Sequence, residues 1–499
     1  MTLDPPSIPE LLRQRAAAAP DKQFLFSEAD QRRFTYREFE AVVRRVAGML
    51  WTNGVRKGDV VSLLLPNSVE YVIAYFACWH IGALAGPINS LLKAEEIDYV
   101  ISNSEAKALL VNSDFVTRIK TKEIRIIPFD NVDQIPESEP IDSPAITRDD
   151  EAIIIYTSGT TGKPKGCLLT HGNVIANAQQ ISGWLGFTES DRLLTIMPLF
   201  HMNAVSVTTM SALYAGASSV VSPKFSASRF WQIVSDYQIT SFGSVATMLS
   251  MLLSTYPDGV PEGLNTRQLR FAMCGSAPVP AEVMKRFEET FDCLVVEGYG
   301  LSESTCRSTF NPPDKRRRPG SCGVPIGNEM RVVDEDDRDV PDGSLGEIVL
   351  RGDNILKGYY KNPAATATAF RNGWFHTGDI GYRDADGFYY IVDRKSDMII
   401  RGGENIYPRE IDEVLYQHPS VAAAAAVGVP DDLYGEEVAA VIVLKDGAKC
   451  SEQEVIEFCK ARLADYKCPK TVRFVEDIPK GPTGKLLKRE LAQMLKGKS

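Results

Sequence analysis

Apolar and polar residues repeat along this chain with two periods, and the period switches many times. Leu11 to Ala19, Tyr36 to Trp51 and Val69 to Gly82 carry apolar residues three or four apart, which predicts amphipathic helices. Short apolar runs between them predict buried strands at Asp59 to Leu65, Ala108 to Val111 and Ala152 to Ile155. The alternation continues to about residue 330. Strands are predicted at Arg192 to Met197, Ser218 to Val221, Ser241 to Phe242, Leu269 to Cys274 and Cys293 to Glu297, each followed by Gly, Ser or Pro turns. This pattern predicts an α/β fold: a large N-terminal domain of layered, largely parallel sheets. In such sheets ligands bind beyond the carboxyl ends of the strands.

From 331 to 392 the texture changes to short strands and Gly/Asp turns (Met330 to Val333, Gly346 to Arg351, Gly381 to Tyr382, Phe388 to Val392), which predicts a β-rich subdomain. Asp393-Arg394-Lys395-Ser396-Asp397 is a charged joint, and the domain boundary is placed there. Beyond it, helix Arg409 to Gln417, strand Val438 to Leu444 and helix Glu452 to Leu463 predict a small α+β C-terminal domain. Ala422 to Ala426 is the one low-complexity tract.

A length of 499 residues fits two to four structural units, and 44% hydrophobic content is enough for sizeable cores. The net charge of −10 gives no nucleic-acid footprint. Lys315-Arg316-Arg317-Arg318 reads as a solvated loop. The nine cysteines are scattered without a C-x-x-C pair, which argues against a zinc site. With no signal-peptide pattern, they fit reduced thiols and a cytoplasmic protein. No apolar run reaches the ~18–20 residues needed to span a bilayer. The ending Lys496-Gly497-Lys498-Ser499 is not a peroxisomal address. Oligomeric state, monomer or homodimer, is not written in the sequence.

The densest chemistry lies in Tyr156-Thr157-Ser158-Gly159-Thr160-Thr161-Gly162-Lys163-Pro164-Lys165-Gly166, directly after a predicted strand. Glycines let the backbone approach a ligand, while hydroxyls, main-chain N–H groups and lysines offer donors to phosphate oxygens. A loop of this composition can also be a plain linker. Its spacing excludes a Walker A loop, because Gly159 and Gly162 stand too close and Lys163 precedes Pro164.

Five further segments follow in order: Pro198-Leu199-Phe200-His201-Met202-Asn203, Cys274-Gly275-Ser276-Ala277-Pro278, Tyr299-Gly300-Leu301-Ser302-Glu303, Trp374-Phe375-His376-Thr377-Gly378-Asp379 and Pro479-Lys480-Gly481-Pro482-Thr483-Gly484-Lys485. Together with the loop, and over about residues 10 to 490, they resemble the adenylate-forming superfamily of acyl-CoA synthetases, amino-acid adenylation domains and luciferases. The resemblance implies a two-step reaction: a carboxylate and ATP give acyl-adenylate and pyrophosphate, then the CoA thiol gives thioester and AMP. Bringing a carboxylate to an α-phosphorus joins two anions, so preorganised positive charge and donors are required.

The resemblance also implies roles. Thr157, Ser158, Gly159, Thr160, Thr161, Gly162, Lys163 and Lys165 would hold the β- and γ-phosphates. Glu303, with Thr157 as second contact, would hold Mg²⁺, a hard cation content with few protein oxygens. Asp379 would bind both ribose hydroxyls, with Arg394 at the ribose or α-phosphate. Gly275, Ser276 and Ala277 would sandwich the adenine with Glu297, Gly298 and Tyr299; Gly300, Ser302 and Ile391 complete the nucleotide set. Lys485 would bridge the substrate carboxylate and the α-phosphate; the bland reading is a surface lysine in a basic tail. Ser396 would be the hinge of a domain rotation between half-reactions, in a 394–396 joint separating residues 1–393 from a mobile 397–499. Members commonly carry Asp or Lys there. The rotation would bring Gly402, Gly403, Glu404 and Asn405 to the pantetheine tunnel. Tyr466 and Lys470 match CoA-nucleotide positions in some relatives, with Cys468 departing from a basic residue. His201 would be an aromatic gate between acyl pocket and thiol tunnel, or else a satisfied histidine on a strand-end turn. His376 reads as structural and Trp374 as packing.

Ser226, in Phe225-Ser226-Ala227-Ser228, replaces the aspartate that pairs with a substrate ammonium in amino-acid adenylation domains. CoA is therefore favoured as thiol acceptor, with a stand-alone acid- or amino-acid-adenylating enzyme loading a carrier protein as the alternative. A P-loop kinase fails on loop spacing. A non-catalytic scaffold would lack one of Glu303, Asp379, Arg394 and Lys485, and all are present. The Leu199–Ala204 and Phe225–Trp231 segments look most like short-chain ligases of the carnitine/crotonobetaine-CoA type. Pocket walls expected at His201, Val207, Ser244, Ala246, Met248, Met273 and Gly300 are small and mostly apolar. They point to a short-to-medium aliphatic or small aromatic acid, and either direction of reaction is open.

Overall fold

A computed structural model describes residues 4–121, 123–137, 141–157, 164–275, 279–479 and 488–496. The apolar alternation read from the sequence builds two seven-stranded sheets. One runs Leu294–Glu297, Phe271–Cys274, Ser241–Ser244, Arg192–Thr195, Ser218–Val221, Gln23–Ser27, Arg33–Thr35, and all its pairs are parallel except the last hairpin. The other contains Gly358–Tyr359, Lys165–Thr170, Glu151–Thr157, Leu84–Pro87, Val60–Leu64, Ala108–Val111 and Arg125–Pro128, again mostly parallel. The α/β expectation is borne out.

One large core joins the two sheets through the buried helix Val69–His80, whose Trp79 indole donates to the Ala152 carbonyl at 2.9 Å. That helix is apolar nearly all round because it is buried between layers. A second core fills the other face of the first sheet, under helices Ala227–Asp236, Ala246–Thr255 and Ala281–Phe291. Helix starts follow local chemistry: Thr35 and Glu38 form a reciprocal capping box at Tyr36–Thr52. Thr170 and Asn173 do the same at His171–Leu185.

The β-rich segment is an antiparallel sheet of Glu329–Val333, Gly346–Arg351, Trp374–Arg383, Phe370–Arg371 and Tyr389–Arg394. The strand expected at Gly381 to Tyr382 is a fragment of the ten-residue Trp374–Arg383. The solvated-loop reading holds for Lys315 and Arg316, which are exposed, but not for Arg317, which pairs with Glu288, or Arg318, which pairs with Asp384 and Asp386.

A separate core holds residues 399–474. Its sheet contains Glu404–Ile406, Ile399–Arg401, Gly435–Leu444 and Val421–Asp431, with Thr471–Phe474 parallel to Gly435–Leu444. The alanine tract lies inside the eleven-residue strand Val421–Asp431. Ala424 and Ala426 share a core with helix Pro408–Tyr416 on one face, and Ala425 packs with Leu491 of helix Lys488–Lys496 on the other. Small side chains let both helices sit close to the strand. No described helix is long and apolar enough to cross a membrane.

Candidate active site

The phosphate-loop segment leaves and re-enters an antiparallel pair in which Thr157 stands opposite Lys165. Thr157 Oγ1 lies 3.8 Å from Cys167 Sγ. Burial raises the Cys167 thiol well above its ordinary range, and the charge of Glu303 raises it further, so the group between Thr157 and Glu303 is a neutral thiol. Glu303 comes from the short turn Ser302–Ser304; its backbone carbonyl accepts from Leu356 N at 2.7 Å and its Oε1 accepts from the Tyr359 hydroxyl at 3.1 Å. Lys165 Nζ stands 5.4 Å from the centre of the Tyr359 ring. Thus one carboxylate and one hydroxyl converge beside a lysine, a hard-oxygen donor set that fits Mg²⁺ held with substrate phosphates. Tyr359 was not singled out in the sequence; only the pairing of Gly358–Tyr359 with strand Lys165–Thr170 brings it here.

At the other end, Asp379 is 3% exposed and bridges Tyr299 and Arg394. Its Oδ2 accepts from the Tyr299 hydroxyl at 2.5 Å and its Oδ1 stands 3.1 Å from Arg394 Nε. Asp379 and Arg394 face each other across the paired strands Trp374–Arg383 and Tyr389–Arg394. Burial disfavours the Arg394 charge, but Asp379, Tyr299 and Glu303 raise the guanidinium above its usual value overall. Burial and the Asp379 charge likewise hold the Tyr299 phenol protonated, so it acts as a donor. Ile391 offers its carbonyl to Arg409 Nη1, which arrives from the C-terminal unit.

Glycines make this end possible. A Cβ on Gly300 would lie 1.9 Å from the Cys306 carbonyl oxygen, and one on Gly298 would lie 2.5 Å from the Phe310 ring. Glu297 is buried beside them; its Oε1 accepts from Val279 N at 3.2 Å, and Oε2 has no partner among the described residues. Burial raises its carboxyl to about 7. Ser302 opens the turn that carries Glu303.

Among the expected acyl-pocket residues, Val207, Ser244 and Met273 are fully buried, and Ser244 Oγ donates to the Met273 carbonyl at 3.0 Å. His201, Ala246, Met248 and Gly300 keep some exposure. Burial lowers the His201 imidazole to about 4, so the ring is neutral at ordinary pH, and its Nε2 has no partner among the described residues. The satisfied-histidine reading is therefore not met. Immediately after it, Asn203–Met210 is a π-helix, a turn geometry that often marks a functional site. Asn203, given no role from the sequence, is 6% exposed, and neither amide atom is hydrogen-bonded among the described residues. Ser226 stands before helix Ala227–Asp236, its Oγ 3.2 Å from Ser228 Oγ.

Gly402 and Gly403 form the tip of the hairpin Ile399–Arg401/Glu404–Ile406, with Glu404 and Asn405 exposed on its return strand. Tyr466 precedes strand Thr471–Phe474 and Lys470 leads into it; both that strand and the hairpin pair with Gly435–Leu444. Ser396 is exposed in the turn after Arg394, its Oγ 3.1 Å from Asp397 Oδ1. A cleft of about 360 Å³ opens between Lys165, Tyr359, Arg371, His376, Gly378 and Lys395. Here Glu347 Oε1 accepts from Gly378 N at 3.2 Å, beside His376. Ser158, Gly159, Thr160, Thr161, Gly162, Lys163, Ser276, Ala277 and Lys485 lie outside the described residues.

Comparison with known proteins agrees with this arrangement. The AMP-binding enzyme family matches residues 12–360, and the AMP-binding enzyme C-terminal domain matches residues 410–485. The sulfoacetate–CoA ligase of Cupriavidus necator is 36% identical over 503 residues, covering 96% of both chains. The long-chain-fatty-acid–CoA ligase FadD13 of Mycobacterium tuberculosis is 37% identical over 497 residues, covering 97% of both chains. The structure of O-succinylbenzoate coenzyme A synthetase (MenE) from Bacillus subtilis, in complex with ATP and magnesium ion, superposes with a TM-score of 0.88 at 34% identity, covering 96% of this chain and 98% of that one.

Proposed function

We propose a division of catalytic labour for this chain, which belongs to the AMP-binding enzyme family and is an AMP-forming acid–CoA ligase with ATP and CoA as co-substrates. The observation that carries it is the convergence of two clusters: Thr157, Lys165, Tyr359 and Glu303 on one side, and Tyr299, Asp379 and Arg394 on the other.

In this reading Lys165 and the 158–163 segment neutralise the β- and γ-phosphates, and Glu303 with Thr157 forms the magnesium site. That ion, when bound, would offset the charge of the leaving pyrophosphate. Tyr359 aims the Glu303 carboxylate. Asp379 fixes the ribose, held in place by Tyr299 and Arg394, and the glycines at 275, 298 and 300 let Arg307, Phe310 and the Cys306 carbonyl pack tightly behind the adenine side. Lys485 brings positive charge to the carboxylate and α-phosphate as they react, which is where such charge accelerates most. Neutral His201 closes the acyl side until the thiol arrives. Residues 1–393 and 397–499 then turn about Ser396, and the hairpin at 402–405, with Tyr466 and Lys470, faces CoA.

The relatives' names span sulfoacetate and long-chain fatty acids, so they do not fix the acid. The likeness of Leu199–Ala204 and Phe225–Trp231 to carnitine/crotonobetaine-type ligases supports a short-to-medium or small aromatic acid, as do the close-packed Val207 and Met273.

The test separates the half-reactions. Lys485→Ala should lower acid-dependent ATP–pyrophosphate exchange by about 10²–10³ and spare thiolysis of a supplied acyl-adenylate. Exchange near the wild-type rate would remove Lys485 from the adenylation step.

A further inference from the structure

Arg307 is 2% exposed, among the largest fully buried side chains of the molecule. Among the described residues its Nε and Nη2 have no hydrogen-bond partner, and no carboxylate forms an ion pair with it. Its backbone is fixed: Arg307 N donates to Asn177 Oδ1 at 3.3 Å, and its carbonyl accepts from Asn177 at 2.7 Å and Asn354 at 3.2 Å. The side chain reaches the carboxyl end of strand Phe271–Cys274, with Nη2 2.6 Å and Cζ 2.8 Å from where a Cβ on Gly275 would stand. The Phe310 ring lies 5.4 Å from the guanidinium. A guanidinium keeps its charge, and burying one without a counter-charge is costly.

The surroundings belong to the acyl side. Gly243 pairs with Met273, and Gly275 follows two residues later on the same face of the sheet. On that face the unpartnered Asn203 places Oδ1 3.0 Å from a Cβ position at Gly243. A buried cation and a buried amide, both unsatisfied, thus share the sheet face that carries the pocket residue Met273. An apolar acyl chain would leave both unpaired; an anionic group would accept from the guanidinium and from the unpartnered Asn203 Nδ2.

We propose that Arg307, assisted by Asn203, receives a second anionic group on the acid substrate, a carboxylate or sulfonate distinct from the carboxylate that is activated. This rests on the acid–CoA ligase reading and narrows its substrate class to short acids with two anionic groups.

The experiment measures CoA-dependent AMP release by the full chain with MgATP over length-matched pairs, propanoate against propanedioate and butanoate against butanedioate, with sulfoacetate as the sulfonate arm. The wild type should favour the dianionic member in kcat/KM by about 10²-fold or more; which arm is best separates carboxylate from sulfonate. Arg307→Met should lower kcat/KM for that acid by about 10²-fold, leave the monoanionic acid and the KM for ATP unchanged, and Arg307→Lys should recover part of the loss. Equal or better use of monoanionic acids by the wild type overturns the inference without any variant, and so does an equal loss on both acids in Arg307→Met. No AMP release with any acid would overturn the ligase reading as well.

Discussion

Single residues in this site work through burial. Glu297 has the clearest consequence, because burial lifts its carboxyl from 4.5 to about 7. Between those values the folded protein holds a proton that the unfolded chain has released. Stability therefore falls as pH rises through this window and levels off above it. At about 1.36 kcal/mol per pH unit the loss reaches roughly 3 kcal/mol. Glu297→Gln should flatten this dependence and raise the melting temperature at pH 8 while changing it little at pH 4.5. An unchanged pH slope in the variant would mean that Glu297 is not the titrating group. His201 moves in the opposite direction for the same reason, down to about 4, which keeps it an uncharged wall.

Elements place these residues by close backbone approach. The 302–308 segment, which carries Glu303 and Arg307, lies on Gly300, where a Cβ would meet the Cys306 carbonyl oxygen at 1.9 Å. Backbone cannot rotate away as a side-chain tip can, so Gly300→Ala must displace the whole segment. The expected cost is about 1–3 kcal/mol of stability, with AMP release falling at least tenfold. Gly183, in helix His171–Leu185, has nothing within 4 Å of its Cβ position. Gly183→Ala should therefore be neutral or stabilise by up to ~1 kcal/mol. Similar melting temperatures for the two variants would contradict this account.

At the scale of the whole molecule, two separately cored units meet at the 394–396 turn. Arg409 reaches back to the Ile391 carbonyl and the Asp393 carboxylate, and Lys488 stands 3.7 Å from Asp393 and 3.3 Å from Asp412. These are polar contacts on charged, mostly buried side chains, so a rotation must exchange them for other partners rather than leave them unpaired. Ser396 is exposed and free of packing, so it can absorb the change in φ and ψ. Proline there fixes φ. Ser396→Pro should spare acyl-adenylate formation and slow thioester formation, read by pyrophosphate exchange and acyl-CoA release. Equal loss of both would show that the turn is not the pivot.

The sequence by itself determined the layered α/β architecture, the β-rich segment, the small C-terminal unit and the order of the motifs. All of these follow from local periodicity and from short runs of contiguous residues. It also marked Glu303, Asp379, Arg394 and Thr157, because each sits inside a recognisable segment of contiguous residues. Only the tertiary structure decided what those residues touch. Tyr359 reaches Glu303 through strand pairing across some 190 residues, and the alanine tract is a strand because two helices press on its faces. Arg307 in sequence is one arginine in a stretch of small residues, indistinguishable from a surface cation. Hydrogen bonds with Asn177 and Asn354, distant in sequence, hold it over Gly275, buried and unpaired, and contacts of that kind leave no trace in the local pattern.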